Sequence, residues 1–199
     1  MNKPAQTQAA IHDLIKQRWS PRAFDPEKPV SDSDLLALLE AARWAPSSYN
    51  DQPWRFLVFN KTADSTTWEQ ALSTLVTKNQ QWAKNAPVLI LAVAMHNFGH
   101  NGQPNRCAQY DTGAASVSLC LQAAALGLVS HQMGGFDGSK ARTLFKLPED
   151  CQPMAMIAIG YQAETELLAD EFKDAETAPR TRAALGERFF AGVWNNAYI

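Results

Sequence analysis

Apolar residues recur along the chain at two different spacings, and these spacings predict the order of its elements. Apolar positions three and four residues apart predict helices over about 7–17, 32–45, 66–82, 108–128 and 138–145. Short and nearly unbroken apolar runs predict buried strands at about 56–59, 87–95 and 154–161, and a further short strand is predicted at 129–133 before the glycine pair. Helices and strands therefore alternate within one chain, without an internal repeat or a linker before about residue 163.

Polar residues at capping positions support the predicted starts of three helices. Ser31 and Asp34 have capping-box spacing before the second helix, and Thr66 and Glu69 repeat that spacing before the third. Asp137 stands where it can cap the last of these helices. The boundaries of these helices are thus encoded locally.

The segment after residue 163 differs in composition from the rest of the chain. Residues 163–179 are polar and acidic, and the tail at 189–198 becomes apolar and aromatic again. We expect 163–199 to form an extended arm rather than core, attached to a single domain that spans 1–199. An arm that ends in aromatic residues requires another surface to cover them.

Composition places the chain among globular proteins with a sizeable core. It has 199 residues, of which 46% are hydrophobic, and a formal net charge of −2. A surface for nucleic acid or an anionic membrane requires a basic excess, so neither partner is expected. The three cysteines have no CxxC pairing, which favours reduced thiols in the cytoplasm. No export signal or anchor is predicted, because the longest apolar run, 87–95, is too short to span a bilayer.

The stretch RWAPSSYNDQPWRF joins a predicted helix to a predicted strand through a short polar turn. Pro46, Ser47, Ser48 and Asn50 combine a restricted backbone with hydroxyl and amide groups, and two tryptophans and a tyrosine add planar apolar surface. A planar ligand with hydrogen-bonding groups would suit this mixture. The alternative is a turn that only reverses the chain, because Ser, Asn, Asp and Pro are also common in such turns.

Four arginines stand out by their positions near the two ends of the chain. Arg18 and Arg22 flank Ser20, and Arg180 and Arg182 flank a threonine. Guanidinium groups match the geometry of a phosphate dianion, to which a serine hydroxyl can add a donor. The alternative is that each arginine is solvated at the surface.

The sequence lacks the common motifs of hydrolases, metalloproteases and nucleotide-binding enzymes. The sequence has no GxSxG, HExxH, GxxxxGK[ST] or GxGxxG. His96 and His100 lack a third ligand, so no metal site is predicted. Gly134-Gly135 follows a predicted strand and offers backbone N–H groups to a flat heterocycle, although a tight turn explains the pair equally well. If the chain is an enzyme, we expect an organic cofactor to carry its chemistry.

Several segments together resemble one known family. RWSPRAFDPEKPVSDSDLLALLEAARWAPSSYNDQPWRF resembles the N-terminal signature of the FMN-dependent nitroreductases, and YDTGAA, ALGL, HQMGGFD, PRTR and GVWNNAY follow in the order expected for that family. The resemblance covers nearly the whole chain. It implies an α+β fold with a mixed central sheet flanked by helices. It also implies an intertwined homodimer with two FMN sites at the subunit interface, in which 163–199 crosses to the partner.

The resemblance further implies which residues contact FMN. Those that would hold its phosphate and ribityl chain are Arg18, Ser20, Arg180 and Arg182, with Trp19 lending mainly backbone. Arg22 would face the pyrimidine edge of the ring, and the N–H of Gly134 would lie near N5. The other implied contacts are Gln132, Met133 and Gly135, one third-helix residue, Asn79 or Gln81, and Pro46, Ser47, Ser48 and Asn50 from the opposite subunit.

The resemblance implies a reaction as well. NAD(P)H would pass a hydride to flavin N5 and leave, after which an electron-poor acceptor such as a nitroaromatic compound or a quinone would take its place, in ping-pong order. The flavin carries the chemistry, so no catalytic side chain is required, and Arg22 and Gly134 would tune it. The alternatives are another FMN-dependent reductase or dehalogenase, a flavin-binding module without fast turnover, and an α/β domain without a cofactor.

Overall fold

The computed structural model describes residues 3–199 as seven α-helices and four β-strands. The helices are α1 (Asp13–Gln17), α2 (Asp32–Arg43), α3 (Ser65–Thr74), α4 (Thr77–Ala83), α5 (Ala108–Ala125), α6 (Gly138–Leu144) and α7 (Asp170–Thr177). The strands are β1 (Trp54–Asn60), β2 (Val88–Met95), β3 (Val129–Met133) and β4 (Cys151–Gly160). None of the helices in this described part of the chain has both the length and the apolar character needed to cross a bilayer.

The four strands form one sheet in the order β1-β2-β4-β3. The expected α+β class is confirmed, but every neighbouring pair of strands is antiparallel, so the pairing within this chain is not mixed. β2 is central and is buried from Val88 to Ala94, as its unbroken apolar run predicts. β3 lies at one edge of the sheet, where it pairs with β4 alone.

A hydrophobic core lies on each face of the sheet. On one face, Trp68 of α3, Trp82 of α4 and Phe172 of α7 pack in one cluster with side chains of β2 and β4. On the other face, Leu38 of α2 and Leu119 of α5 pack against alternate residues of the same strands. This alternation follows from the two-residue side-chain period of a strand. The central strands are thus packed on both faces, and β3 extends the same sheet beside β4.

The predicted third helix is in fact two helices, α3 and α4. Leu75 and Val76 are extended between them. Leu75 forms a β-bridge with Phe136, and the N–H of Val76 donates to the carbonyl of Gly135 at 3.0 Å. The hydrophobic pattern did not reveal the break, because both helices bury the same side against the sheet. The interruption serves to dock the loop that contains the glycine pair.

The segment after residue 163 begins as core, which corrects the prediction of an arm from that point. Leu168 and Phe172 are buried in the cluster under α4, and Glu176 is 0% exposed. α7 exposes acidic residues on its other side, so its overall polarity concealed a short amphipathic helix. Beyond residue 180 most of the aromatic side chains are exposed. The crossing of this tail to a partner stays a prediction.

Two of the three predicted helix starts are confirmed. The hydroxyl of Ser31 accepts a hydrogen bond from the N–H of Asp34 at 3.0 Å, and the carboxylate of Asp137 accepts one from the N–H of Lys140 at 2.9 Å. The start predicted at the third helix is wrong, since Asp64 caps α3 by accepting from two N–H groups of its first turn. An aspartate directly before the helix competes successfully with a threonine inside it.

Candidate functional site

The backbone around Arg22 is held by one buried and one half-buried side chain from distant parts of the chain. The N–H of Arg22 donates to both carboxylate oxygens of Glu176, at 3.0 and 2.9 Å, and the N–H of Ala23 donates to one of them at 3.2 Å. On the other side, Nδ1 of His131 donates to the carbonyl oxygen of Pro21 at 2.9 Å. The position of Arg22 is therefore fixed by the fold itself.

The imidazole of His131 is neutral at physiological pH. Burial lowers the pKa of His131 to about 4, and the positive charges of Arg22 and Arg18 act in the same direction, while hydrogen bonds to backbone carbonyls oppose them. The ring packs against Trp82 with 4.6 Å between the ring centroids. His131 thus orients the backbone without adding charge to the neighbouring arginines.

Arg180 joins the two ends of the chain. Its Nη1 donates to the carbonyl oxygens of Lys3 at 2.8 Å and Lys16 at 2.9 Å, and its Nη2 donates to the carbonyl oxygen of Arg18 at 3.0 Å. Burial, and then the charges of Arg18 and Arg182, lower the pKa of Arg180. Arg18 therefore lies close enough to Arg180, 162 positions further along the chain, for their charges to repel each other.

We refer to Arg18, Arg22, Arg180 and Arg182 as the arginine cluster. Within residues 3–199, none of these guanidinium groups forms an ion pair with a carboxylate. Nη1 of Arg18 makes a long hydrogen bond of 3.4 Å to the hydroxyl of Ser20. Because unpaired cations at short range repel one another, an anion bound among them would stabilise the cluster. A phosphate group fits this requirement.

A cleft of about 220 Å³ opens beside Arg18 and Trp19. Its wall includes Ser130 of β3, whose buried hydroxyl has no hydrogen-bond partner among residues 3–199. It also includes Cys120 of α5, whose thiol pKa is raised by burial and whose Sγ accepts a hydrogen bond from Nε2 of Gln132 at 3.4 Å. A buried hydroxyl without a partner suits a polar ligand in this cleft.

The glycine pair lies beyond the far end of β3, against α4. A Cβ on Gly135 would lie 3.0 Å from Nδ2 of Asn79 and 3.1 Å from a methyl group of Val76, so a larger residue would fit only if these two side chains shifted. Nδ2 of Asn79 donates to the carbonyl of Gly135 at 3.2 Å. Gln81 is exposed. Of the two third-helix candidates, Asn79 is the one that meets the glycine pair.

Gly134 faces open space. A Cβ added there would meet no atom within 4 Å. Its N–H has no backbone acceptor among residues 3–199. Met133 before it is buried in the core and offers only its backbone to a ligand. A free N–H beside an open face fits the edge of a flat heterocycle, at roughly 14 Å along the strand from Ser130.

We refer to residues 46–52 as the polar turn. Its residues with positive φ are Tyr49, Asn50 and Gln52, at 54°, 54° and 51°. This conformation costs a residue with a side chain about 1 kcal/mol or more, and it persists only where the surroundings impose it. The hydroxyl of Ser47 accepts from the N–H of Gln52 at 3.1 Å, and the N–H of Ser48 donates to the buried carboxylate of Asp111 at 3.0 Å.

The polar turn is fastened to the loop that follows β2. The carboxylate of Asp51 accepts from the N–H of Gly99 at 2.8 Å and from Nδ2 of Asn105 at 3.1 Å. The ring of Tyr49 packs against His100 with 5.8 Å between centroids, and a space of about 390 Å³ opens beside them. The turn and the loop form one unit, and Tyr49 on its surface is 85% exposed.

The arginine cluster and the polar turn lie toward opposite ends of α5. Ser48 binds Asp111 in the first turn of that helix, whereas the cleft beside Arg18 is lined by Ala124 near its end. The helix between these two points is roughly 20 Å long. One chain therefore does not bring the two groups of candidate residues together.

Glu176, His131 and Asp111 hold the site in place but belong to no sequence motif. A signal exists for Glu176, which follows Phe172 by four residues and so lies on the buried side of α7. His131 lies in β3 between Ser130 and Gln132, two other polar residues, so nothing local distinguishes it from them. Asp111 lies in the first turn of a helix, where a carboxylate is ordinary, and nothing else marks it.

The sequence of this chain is similar to the sequences of several known proteins. A family model described as the Nitroreductase family matches residues 15–161. Protein DrgA of Synechocystis sp. is 35% identical over 176 residues, which cover 76% of this chain and 84% of DrgA. The Major NAD(P)H-flavin oxidoreductase of Aliivibrio fischeri is 38% identical over 85 residues, which cover 43% of this chain and 38% of that protein.

Solved structures share the fold. A crystal structure of an oxidoreductase containing FMN superposes with a TM-score of 0.90 at 36% identity and covers 96% of both chains. A nitroreductase family protein from Clostridium difficile 630 gives a TM-score of 0.66 at 26% identity and covers 87% of this chain and 93% of its own. The similarity thus includes the helices and the sheet that position the arginine cluster and the glycine pair.

Proposed function

This chain belongs to the nitroreductase family, and we propose that it passes a hydride from NAD(P)H to electron-poor acceptors such as nitroaromatic compounds or quinones in ping-pong order. It is an FMN-dependent oxidoreductase. FMN, when bound, supplies the hydride chemistry at its N5 position. The residues of the chain bind the cofactor, orient it and adjust the charge around it.

One observation carries this proposal. The guanidinium groups of the arginine cluster have no carboxylate partner among residues 3–199, and Arg18 lines the same cleft as Ser130 at the start of β3. A glycine with a free N–H and an open face lies beyond the other end of that strand. The two ends are roughly 14 Å apart. This spacing suits an elongated ligand with an anionic end and a flat end, which is the form of a flavin mononucleotide.

The anionic end is assigned to three members of the arginine cluster, Arg18, Arg180 and Arg182. Arg18 and Arg182 hold the phosphate, with the hydroxyl of Ser20 as a further donor and Trp19 lending backbone. Arg180 uses three of its five N–H donors on backbone carbonyls, so its contribution to the phosphate is limited to the remaining two. Its larger task is to hold the end of the chain against Arg18.

The flat end is assigned to the glycine pair and to Arg22. The guanidinium of Arg22 supplies positive charge at the pyrimidine edge, where negative charge develops, and a preorganised donor of this kind contributes about 3 kcal/mol. The N–H of Gly134 is the donor to N5. The other residues assigned to the ring and ribityl chain are Asn79, Gln132, Met133 and Gly135.

The remaining contacts are assigned to a second copy of the chain. The polar turn contacts the start of α5, whereas the arginine cluster lies near the end of that helix, so one chain cannot complete the site. A homodimer would bring the cluster of one chain to the turn of the other. The turn residues assigned to this contact are Pro46, Ser47, Ser48 and Asn50. The exposed tyrosine and valine at Tyr110 and Val117 of α5 support a helix-to-helix contact between copies. The exposed aromatic tail would then be covered by the partner.

The test is spectroscopic. The purified protein, after addition of FMN and removal of the excess, should be yellow and should bleach under anaerobic conditions with NADH or NADPH. A nitroaromatic compound or a quinone should then restore the colour. Protein that remains colourless after reconstitution would overturn the proposal, and protein that binds FMN but bleaches with neither nicotinamide would reduce it to a flavin-binding module.

A further inference from the structure

Glu176 is a buried carboxylate with an unusual set of partners. It is 0% exposed, and within residues 3–199 its carboxylate forms no ion pair. A buried charge is costly unless hydrogen bonds or an opposite charge compensate it. Three hydrogen bonds from the N–H groups of Arg22 and Ala23 provide that compensation. Lys3 lies close by, but its Nζ donates to the backbone carbonyl of Glu176.

The hydrogen bonds of Glu176 complete a set that fixes the backbone on both sides of Arg22. His131 binds the carbonyl of Pro21, and the carbonyl of Ala23 accepts from the N–H of Ala163 at 3.0 Å. With both neighbouring peptide groups held, the direction in which the Arg22 side chain leaves the backbone is set. These hydrogen bonds leave only the side-chain torsions of Arg22 free to vary.

Glu176 also places a negative charge behind a group of positive ones. Burial is the main reason that the pKa of Lys3 is lowered; the charge of Glu176 opposes this, and those of Arg180 and Arg22 add to it. These groups therefore act on one another electrostatically. Without Glu176, the arginines would face one another with no nearby compensation until an anion arrived.

We propose that Glu176 is a positioning residue of the cofactor site, which aims Arg22 through the backbone and offsets the charge of the arginine cluster when no phosphate is bound. This inference rests on the proposed function, since Arg22 is assigned there to the flavin. Glu176 touches neither the cofactor nor a substrate, and it acts through the peptide groups of Arg22 and Ala23.

The test compares Glu176→Gln with Glu171→Gln. Both residues lie on α7 and lose the same charge, but Glu171 is exposed. In Glu176→Gln, the new side-chain amide presents its own N–H groups to the N–H donors of Arg22 and Ala23. We expect the dissociation constant of this variant for FMN, measured by quenching of flavin fluorescence, to rise roughly tenfold or more. Glu171→Gln should bind FMN as the wild type does.

A double-mutant cycle distinguishes positioning from general support of the fold. Arg22→Ala and Glu176→Gln should each slow reduction by NADH at saturating FMN, and the double variant should be no slower than the slower single variant. Effects that multiply would overturn the inference, as would unchanged FMN affinity in a folded Glu176→Gln protein. If wild-type protein fails to bind FMN, the proposed function itself fails.

A second variant keeps the inference testable if Glu176→Gln does not fold. Glu176→Asp keeps the charge but is one methylene shorter, so it cannot reach both N–H groups in the same way. We expect FMN binding weakened by several-fold, at a temperature where circular dichroism shows the protein folded. Wild-type affinity in this variant would show that the reach of the carboxylate is unimportant and would overturn the inference.

Discussion

The arginine cluster and the polar turn are both held in fixed positions, but they leave different groups free. Long-range contacts hold the cluster, through Glu176, His131 and the bonds of Arg180 to the other end of the chain. The polar turn is held by Asp111 and by its own serine. The free groups of the cluster are charges, which require an anion, whereas those of the turn are an exposed ring and an amide, which require a surface. This difference is what the proposed site requires, in which the cluster of one chain and the turn of another complement each other.

The largest expected effect is on FMN content, in variants that change either the arginine cluster or the polar turn and in dimers that contain one chain of each variant. Arg18→Ala with Arg182→Ala removes the two proposed phosphate contacts, and Pro46→Trp places a bulky ring on the exposed turn. Each variant alone should retain almost no FMN. Dimers purified with one chain of each kind should carry one FMN per two chains, because one of their two sites combines two intact halves.

A matched control for the turn is Pro148→Trp, at an exposed proline between α6 and β4. It should retain FMN fully in both chains. Mixed dimers that carry no FMN at all would show instead that the cluster and the turn act within a single chain.

The second prediction separates two arginines inside the cluster. Arg180→Ala removes three hydrogen bonds to backbone carbonyls and should lower the free energy of unfolding of the cofactor-free protein by about 3 kcal/mol. Arg182 bonds only to its neighbour's carbonyl, so Arg182→Ala should change stability by less than about 0.5 kcal/mol but weaken FMN binding. Urea unfolding and FMN titration measure the two quantities, and equal losses of stability would contradict the assignment.

The third prediction concerns His131, whose pKa is about 4 in the folded protein, against an ordinary value of 6.5 for a histidine in the unfolded chain. Between these values the unfolded chain binds more protons at this residue, so its contribution to stability is present above pH 6.5 and is lost as the pH falls toward 4. The loss amounts to about 3 kcal/mol. The slope of unfolding free energy against pH should therefore be shallower in His131→Gln.

The exposed His96 provides the control for this measurement. His96→Gln should keep the wild-type slope. Identical slopes in wild type and His131→Gln would mean that the imidazole is not buried in neutral form.

The smallest effect is expected in the polar turn. Asp51→Ala removes the acceptor for Gly99 and Asn105 and should cost about 1–2 kcal/mol, with faster amide exchange at Gly99. The exposed Asp150 serves as control, since Asp150→Ala removes a carboxylate that makes no side-chain hydrogen bond among residues 3–199. Unchanged exchange at Gly99 would show that the loop holds itself without the turn.

Local features of the fold were predictable from the sequence, and long-range ones were not. The strand at Val129–Met133 and the caps at Ser31 and Asp137 follow from local spacing, and the structure confirms them. The extended break at Leu75 escaped prediction, because it is imposed by a bridge to Phe136 that lies far along the chain. Periodicity reports which side of a segment is buried, and that side does not change across the break.

The candidate site shows the same division. The resemblance named the arginines and glycines, and the fold brings Asn79 to the glycine pair and Arg180 to Arg18. Glu176 falls in the segment predicted to be an acidic arm, because a carboxylate that is satisfied by peptide N–H groups looks in sequence like any solvated one. Its partners are separated from it by more than 150 positions, and no local pattern carries that information.

The clasp made by Arg180 has a consequence for the order in which the chain folds. Its three acceptors, Lys3, Lys16 and Arg18, lie more than 160 positions away from it in the sequence. Such contacts close very long loops, and the entropy lost on loop closure has to be met before these hydrogen bonds can stabilise anything. Local helices and neighbouring strands can therefore form early in folding, whereas the clasp closes only after the two distant segments have been brought together.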